Sequence, residues 1–203
     1  MLMNKRRKYN QEFKREAGQF EMHGLDAAEI LQFQALVEFE PRTFKSGDYI
    51  FYAGETCKSL YYITQGVTRA YYIHEDKEIN LRLTASHAVA IQYSSFISQE
   101  PSVEYIQCLT DCSGFKISLK NVDKIREKNP KTDYFLRILA ENHYLAMEKR
   151  LFTLQHKSGK ERYQYFMANM PTEVVKNTPA QHIASYLGIT PESFSRIKRQ
   201  LNK

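Results

Sequence analysis

Residues 178–201 read TPAQHIASYLGITPESFSRIKRQL, and this stretch predicts two short helices joined by a tight turn. The first helix begins at Thr178 and Pro179, and Gln181 stands three positions after Thr178, where it closes a capping box. Gly188 stands where a helix ends in the left-handed conformation that glycine adopts most readily. The stretch is therefore predicted to form a helical hairpin with a short turn.

The second helix of this hairpin is predicted to begin at Thr190 and Pro191, a capping residue followed by a residue suited to a first helical turn. Apolar residues recur at three- and four-residue spacing, which gives each helix one face to bury against the other. These residues are Ile183, Ala184, Leu187, Phe194, Ile197 and Leu201. Ala184 is small at the position where two crossing helices must approach closely.

The outward face of the second helix carries mostly hydrogen-bond donors, a composition that suits the major groove of DNA. Arginine can pair with guanine, glutamate can accept from cytosine, and serine or a helix N-terminus can hold a phosphate. The predicted DNA-binding residues are Thr190, Glu192, Ser193, Ser195, Arg196, Arg199 and Lys203. A generic polar hairpin can also be a plain structural element, but here the caps, the turn glycine and the basic face coincide.

Positive charge is concentrated at the two ends of the chain. The net charge is +6. Residues 1–20 and residues 159–203 each carry a net charge of +4, whereas the middle carries −2. A basic terminal module on a near-neutral body is what phosphate binding needs, although charged runs are also common on solvated faces.

Residues 42–118 consist of short aromatic and β-branched runs separated by glycines, a pattern typical of strands. The runs 59–65 and 67–74 meet at Gly66, and the run 78–84 alternates apolar with polar residues. We therefore expect a compact antiparallel β-barrel or roll. A basic helical N-terminus and an amphipathic helix near residues 26–37 are predicted to precede it.

Residues 132–156 read as one long helix whose spacing, alternately three and four, is typical of a coiled-coil seam. The predicted dimer interface consists of Phe135, Ile138, Asn142, Leu145 and Phe152, with Lys149 as a further polar seam position. A polar seam residue such as Asn142 can fix the register and the dimeric state. The alternative is a helix that packs only on its own barrel. Residues 156–159 break the pattern and are predicted to form a hinge.

Composition excludes several classes of protein. No apolar run approaches the ~20 residues that span a bilayer, and no apolar stretch follows the basic N-terminus, so we expect a cytoplasmic protein. The three cysteines, Cys57, Cys108 and Cys112, match no zinc spacing and are too few for an iron–sulfur cluster. Structural thiols are the expectation for Cys108 and Cys112, with a redox pair as the alternative. The absence of phosphate-loop, metal and nucleophile motifs predicts that the chain is not an enzyme and needs no cofactor.

The helical hairpin resembles the helix-turn-helix of the Crp/Fnr regulators, and two upstream stretches, SGDYIFYAGE at 46–55 and LYYITQGVTR at 60–69, resemble the glycine-marked strands of their cyclic-nucleotide-binding β-roll. The resemblance covers most of the chain beyond residue 25, in the family's own order. In the family, the recognition helix usually opens with Arg-Glu and has an Arg four residues after the Glu. Glu192 and Arg196 match this pattern, whereas Pro191 replaces the first Arg.

The nucleotide pocket of the family is degenerate in this chain. The resemblance places a ribose-binding Glu and a phosphate-binding Arg at positions held here by other residues. The corresponding pocket positions are Gln92, Tyr93, Ser94 and Ser102. Residues 83–115 contain no Lys or Arg, and a buried phosphodiester without a cation is costly. We therefore expect that cyclic AMP is not the effector.

Together these patterns predict an α+β fold with three parts. Residues 1–131 form N-terminal helices and an antiparallel β-roll, a double-stranded β-helix like that of cyclic-nucleotide-binding domains. Residues 132–158 form a long dimerisation helix and hinge, and residues 159–203 form the helix-turn-helix domain. The expected function is DNA-binding transcription regulation by a homodimer on a pseudo-palindromic operator, with RNA polymerase as a further partner and an unknown effector. The alternative is a pseudo-receptor whose roll binds a small neutral ligand or a protein, with DNA binding secondary.

Overall fold

The computed structural model describes residues 40–128, 131–156 and 158–201. The predicted N-terminal helices and Lys203 lie outside the described residues. The strands are β1 Glu40–Phe44, β2 Tyr49–Phe51, β3 Ser59–Gln65, β4 Thr68–His74, β5 Lys77–Thr84, β6 Ala88–Ala90, β7 Tyr105–Cys108 and β8 Cys112–Ser118. The helices are α1 Tyr93–Ser98, α2 Leu119–Lys128, α3 Lys131–His156, α4 Gly159–Asn169, α5 Thr172–Asn177, α6 Ala180–Leu187 and α7 Pro191–Leu201.

The eight strands form two four-stranded antiparallel sheets with orders β1-β8-β3-β6 and β2-β7-β4-β5. The predicted β-roll is thus confirmed. Strand β5 is the last strand of its sheet and pairs only with β4 within it. That position leaves the other side of β5 available to the helices that follow.

Gly66 makes the close approach between β3, β4 and β8 possible. Its φ is +111°, and a Cβ there would lie 2.6 Å from the Asp111 carbonyl oxygen and 2.5 Å from the Cys112 Sγ. Only glycine fits such a position without displacing its neighbours. The glycine between the two predicted strand runs therefore has a structural reason.

The interior of the roll is filled by apolar side chains from both sheets, and the first half of α3 closes it. Ile63, Ile106 and Cys57 are among its most buried members, and Val122 of α2 and Leu139 of α3 join the same cluster. Burial of such side chains is the main source of stability for a domain of this size. The N-terminal half of α3 is therefore part of the roll.

A second apolar cluster lies among helices α4 to α7 and includes two residues of the roll. Phe166, Val174 and Ala184 are fully buried in it, and Val67 and Leu83 from the roll complete it. The helix-turn-helix thus packs on the β5 side of the roll instead of standing apart from it.

Most of the predicted elements are confirmed, and one detail of the hairpin is wrong. Helix α6 begins at Ala180 without a side-chain cap, whereas the buried Thr178 ends helix α5. The Thr178 backbone N–H donates to the Val174 carbonyl, so this residue terminates one helix before it can start the next. The predicted capping box with Gln181 is not formed.

Candidate nucleic-acid interface

The turn between α6 and α7 has the geometry that the sequence predicts. Gly188 has a φ of +62°, and its backbone N–H donates to the Ser185 carbonyl at 3.1 Å. The Thr190 hydroxyl accepts from the Ser193 backbone N–H at 3.2 Å, which caps α7. The two caps fix the direction of α7 relative to α6.

Helix α7 buries Phe194 and Ile197 against the other helices and turns its polar residues outward. The predicted DNA-binding residues Thr190, Glu192, Ser195, Arg196 and Arg199 are exposed, and Ser193 is half-buried. The structure therefore places six of the seven predicted residues on α7 or its cap, on a surface that a DNA groove can reach.

The N-terminus of α7 favours negative charge. The Glu192 carboxylate accepts hydrogen bonds from its own backbone N–H and from Thr190, and these bonds lower the pKa of Glu192. A helix N-terminus presents unpaired N–H groups and a positive dipole end, which stabilise an anion. Glu192 is thus held ionised where it could accept from a cytosine amino group.

Polar contacts fix α6 on the free edge of β5. The Ser185 hydroxyl donates to the Glu78 carbonyl at 2.7 Å and accepts from the Asn80 backbone N–H at 2.9 Å. The Glu173 carboxylate accepts from the Ser86 hydroxyl at 3.0 Å. These bonds satisfy backbone groups that an open sheet edge would expose.

A buried arginine lies at the centre of this junction. Arg69 is 4% exposed and pairs through two nitrogens with the Glu78 carboxylate. It also donates to the Gln107 amide oxygen at 2.9 Å and lies 3.9 Å from the centre of the Tyr71 ring. One of its terminal nitrogens is 3.0 Å from the His182 Nδ1 of helix α6. This geometry suits a neutral His182 that accepts from Arg69.

Burial, and then the positive charge of Arg69, lower the pKa of His182, while Glu78 opposes this shift. Histidine in an unfolded chain titrates near pH ~6.5, so the unfolded chain takes up this proton first as the pH falls. The stability that neutral His182 contributes is complete above about pH 6.5 and is lost as the pH falls through the lower folded pKa. Burial also lowers the pKa of His143, so both histidines make the folded protein less stable as the pH falls.

We expect the melting temperature of the protein to fall between about pH 7.5 and about pH 5, and His182→Gln to reduce this fall because its side chain cannot be protonated. Differential scanning fluorimetry at both pH values measures the effect. His74→Gln, on the exposed end of β4, is the matched control and should leave the fall unchanged. Equal falls in the wild type and His182→Gln would contradict the assignment.

The predicted pocket residues adjoin the short helix α1, and three of them already have partners. Gln92 is 1% exposed, and its amide nitrogen donates to the carbonyls of Tyr52 and Glu104. The Tyr93 ring stacks on His143 at 4.7 Å. The Ser102 hydroxyl accepts from the Glu104 backbone N–H at 3.1 Å.

One expectation about this pocket is wrong, because a cation does lie near it. Arg82 of β5 pairs with the Glu104 carboxylate and donates to the Ile91 carbonyl at 3.2 Å, next to Gln92. Arg82 directly precedes the range 83–115 in which no Lys or Arg occurs, so the sequence argument left it out by one position. Glu104 neutralises this arginine, so it is not a free partner for a phosphate. Ser94 is exposed.

The predicted seam of α3 divides into two halves. Phe135 and Asn142 are half-buried, and Ile138 is only 5% exposed within this chain, so Ile138 has little surface left for a partner. In the second half, Leu145 is 53% and Phe152 56% exposed, seven residues apart. Tyr144 and Leu151 are exposed beside them, also seven apart. The apolar surface that could meet a second chain therefore lies in the C-terminal half of α3.

The two neighbouring cysteines are buried at the junction of β7 and β8. Neither Cys108 nor Cys112 forms a disulfide. The hydrogen bond that the Cys108 thiol donates to Cys112, together with burial, raises the pKa of Cys108 and keeps that thiol protonated. A buried protonated thiol is inert, which favours the structural reading.

Sequence reasoning missed the residues that join the helix-turn-helix to the roll, namely Arg69, Glu78, His182 and Arg150. Arg150 of α3 donates to the Asn80 carbonyl at 2.8 Å and lies 3.9 Å from the centre of the Tyr186 ring. The sequence feature that could have revealed this junction is Arg69, a charged residue within a run of apolar strand residues. A charge at such a position is rarely buried without a partner.

Comparison with known proteins agrees with this architecture. The cyclic nucleotide-binding domain family matches residues 41–129. The fumarate and nitrate reduction regulatory protein of Vibrio cholerae is 25% identical over 192 residues, which cover 88% of this chain and 75% of that protein. FixK2 from Bradyrhizobium japonicum has a similar structure, with a TM-score of 0.69 at 17% identity over 82% of this chain and 85% of that one. A transcriptional regulator of the Crp/Fnr family from Eubacterium rectale has a TM-score of 0.65 at 16% identity, over 88% of this chain and 84% of its own.

The roll, which matches the cyclic nucleotide-binding domain family, is followed by an exposed helix-turn-helix. The chain is similar to regulators of the Crp/Fnr family, and these similarities support DNA-binding transcription regulation as its function. The relatives named above are regulators, and within the described residues no helix is both long and apolar enough to cross a bilayer.

Proposed function

We propose that the protein binds a pseudo-palindromic operator as a homodimer, with one α7 helix of each subunit in the major groove. The exposed polar face of α7, with Arg196 one helical turn after Glu192, is the observation that carries this proposal. Arginine reads guanine through two parallel hydrogen bonds, so Arg196 is the proposed base-reading residue. Thr190, Ser193, Ser195, Arg199 and Lys203 complete the proposed DNA surface.

Arg196→Ala is expected to weaken binding to the specific operator by ~1 to 3 kcal/mol and to leave non-specific binding nearly intact. The ratio of specific to non-specific affinity should therefore fall by about 5- to 150-fold. The operator is first selected from genomic fragments, and the ratio is then measured by fluorescence anisotropy at one fixed salt concentration.

Two control variants separate base reading from charge. Lys203 is a proposed phosphate contact, so Lys203→Ala should weaken binding to all DNA sequences alike. It should also reduce the slope of log affinity against log salt concentration by about one. Arg42→Ala, on the exposed strand β1, should change neither affinity. An unchanged ratio for Arg196→Ala would remove Arg196 from base reading.

The proposed dimer is built on the C-terminal half of α3. Leu145 and Phe152, with Tyr144 and Leu151 beside them, repeat at seven residues, the spacing of helices paired in a coiled coil. A symmetric dimer would present two α7 helices about one helical turn of DNA, or a multiple of it, apart.

We further propose that the chain has three functional units, residues 1–131, 132–158 and 159–203. We also propose that the protein is cytoplasmic, that RNA polymerase is a partner and that the chain has no enzymatic activity.

We also propose that cyclic AMP is not the effector. The Gln92 amide nitrogen already donates to two backbone carbonyls, and the nearby cation Arg82 is neutralised by Glu104. A cyclic phosphate would have to displace Glu104 from Arg82 and would meet a carboxylate of its own sign.

Isothermal titration calorimetry with cyclic AMP and cyclic GMP is therefore expected to detect no binding tighter than ~100 μM, about 5.5 kcal/mol. Glu104→Gln is the informative variant, because it frees Arg82 while keeping a side chain of the same size. Weak binding of cyclic AMP to Glu104→Gln alone would support this explanation. Tight binding to the wild type would contradict it.

A further inference from the structure

A cavity of about 270 Å³ lies where the roll, the long helix and the helix-turn-helix meet. Its walls come from β5, the C-terminal half of α3, α4 and the end of α6. None of the four pocket residues around α1 lines it. The cavity is therefore distinct from these four pocket positions, although Arg82 adjoins both, and its volume lies just below the usual range for small-molecule sites.

Four cationic side chains line this cavity, namely Arg82, Lys149, Arg150 and Arg162. Glu104 neutralises Arg82. Among the residues that the structure describes, no carboxylate forms an ion pair with the other three. The lining itself contains no Asp or Glu. The cavity therefore carries positive charge that the carboxylates of residues 40–128, 131–156 and 158–201 do not compensate.

The partners of these cations are neutral. Arg150 donates to the Asn80 carbonyl, and Arg162 donates to the Leu154 carbonyl at 2.9 Å. The Arg162 Nε is buried and has no hydrogen-bond partner among the described residues. Burial lowers the pKa of Arg150, which reflects the cost of removing its charge from water. Arg150 and Arg162 are half-buried, and partly buried cations of this kind are stabilised by an anion that completes their hydrogen bonds.

The rest of the wall is mostly apolar and aromatic, with Thr84, Thr153 and Asn169 as its uncharged polar residues. Leu83 and Phe166 contribute aliphatic and aromatic surface, and Tyr165 and Tyr186 add ring surfaces beside the cations. A bare inorganic ion would leave this surface unfilled, whereas a flat apolar body would cover it. The lining thus combines cationic side chains with apolar and aromatic surface.

We propose that this cavity binds a small organic anion with an aromatic or other flat apolar body, held by Lys149, Arg150 and Arg162. Because the ligand would touch the roll, the long helix and the DNA-binding helices at once, its binding would favour one arrangement of these parts over others. This regulatory consequence rests on the proposed DNA-binding function, since any coupling between the two sites is reciprocal. Binding of the anion itself does not depend on DNA.

Isothermal titration calorimetry of the full chain without DNA tests the site, with naphthoate as the probe and naphthylmethanol as its uncharged analogue. We expect one naphthoate per chain, with the alcohol at least about tenfold weaker because it lacks the charge. Arg162→Gln should weaken naphthoate by at least about tenfold and affect the alcohol little. Arg42→Gln, an exposed cation on β1, should leave both affinities unchanged.

A second variant tests location without altering charge. Ala146 lies on the exposed side of α3 and lines the cavity, so Ala146→Trp should fill the space and abolish binding while the helix still folds. Absence of naphthoate binding up to millimolar concentrations would overturn the proposal, as would binding that neither variant affects. If naphthoate does not bind and Arg162→Gln weakens DNA binding for all sequences alike, the cations serve DNA phosphates instead. Intact naphthoate binding in a chain that binds no DNA would refute only the proposed function.

Discussion

Leu145→Glu is expected to convert the homodimer into monomers. Leu145 is more than half exposed in the single chain, so the substitution should not disturb the fold of the subunit. In the proposed seam, two-fold symmetry brings two glutamates together in an apolar interface, and burial of unpaired carboxylates costs several kcal/mol. We expect the dimer dissociation constant to rise by more than about a hundredfold.

Light scattering over a concentration series measures this effect, and circular dichroism shows whether the subunit remains folded. Ile97→Glu is the matched control, because Ile97 is an apolar residue on α1 of the roll that is 64% exposed, somewhat more than Leu145. The control should remain dimeric. A Leu145→Glu protein that is still a dimer would place the interface elsewhere on the chain.

Glu78→Ala is expected to destabilise the protein by about 3 kcal/mol, since it leaves the Arg69 guanidinium buried without its carboxylate. The value lies at the low end of the range for broken buried pairs, because the Glu78 side chain is itself partly solvated. Urea unfolding followed by circular dichroism measures the free energy of unfolding.

Glu40→Ala is the corresponding control. Glu40 pairs with Arg42 on strand β1, where both side chains are close to half exposed. Exposed ion pairs contribute ~0 to 1 kcal/mol, so this variant should unfold nearly as the wild type does. Equal losses for the two variants would show that the Arg69 pair has no special role.

The fold could be predicted largely from the sequence because its signals are local. Gly188 and Thr190 determine the turn and the second cap of the hairpin through contacts within a few residues. The sequences of β3 and β5 show the residue pattern of a strand even when the strands that they pair with are not known. Thr178 was misassigned because its side chain also suits an N-cap, and only its backbone hydrogen bond to the Val174 carbonyl shows that helix α5 ends there.

The contacts between distant segments could not be predicted in this way. Arg82 and Glu104 are brought together by strand pairing across the sheet, and a window of sequence around the pocket does not contain both. Arg69 and His182 are 113 positions apart and meet only when α6 packs on the roll. No local pattern records such a pairing, because neither residue needs the other to form its own strand or helix.

The shared core around Val67 and Leu83 has a consequence for protein engineering. These two roll residues complete the interior of the helix-turn-helix domain. The core of that domain therefore includes side chains from outside residues 159–203. A chimera that exchanges residues 159–203 with those of another regulator would have to carry matching side chains on β4 and β5, or leave voids beside the recognition helix. Grafting a new DNA specificity onto this scaffold should therefore be confined to the exposed face of α7.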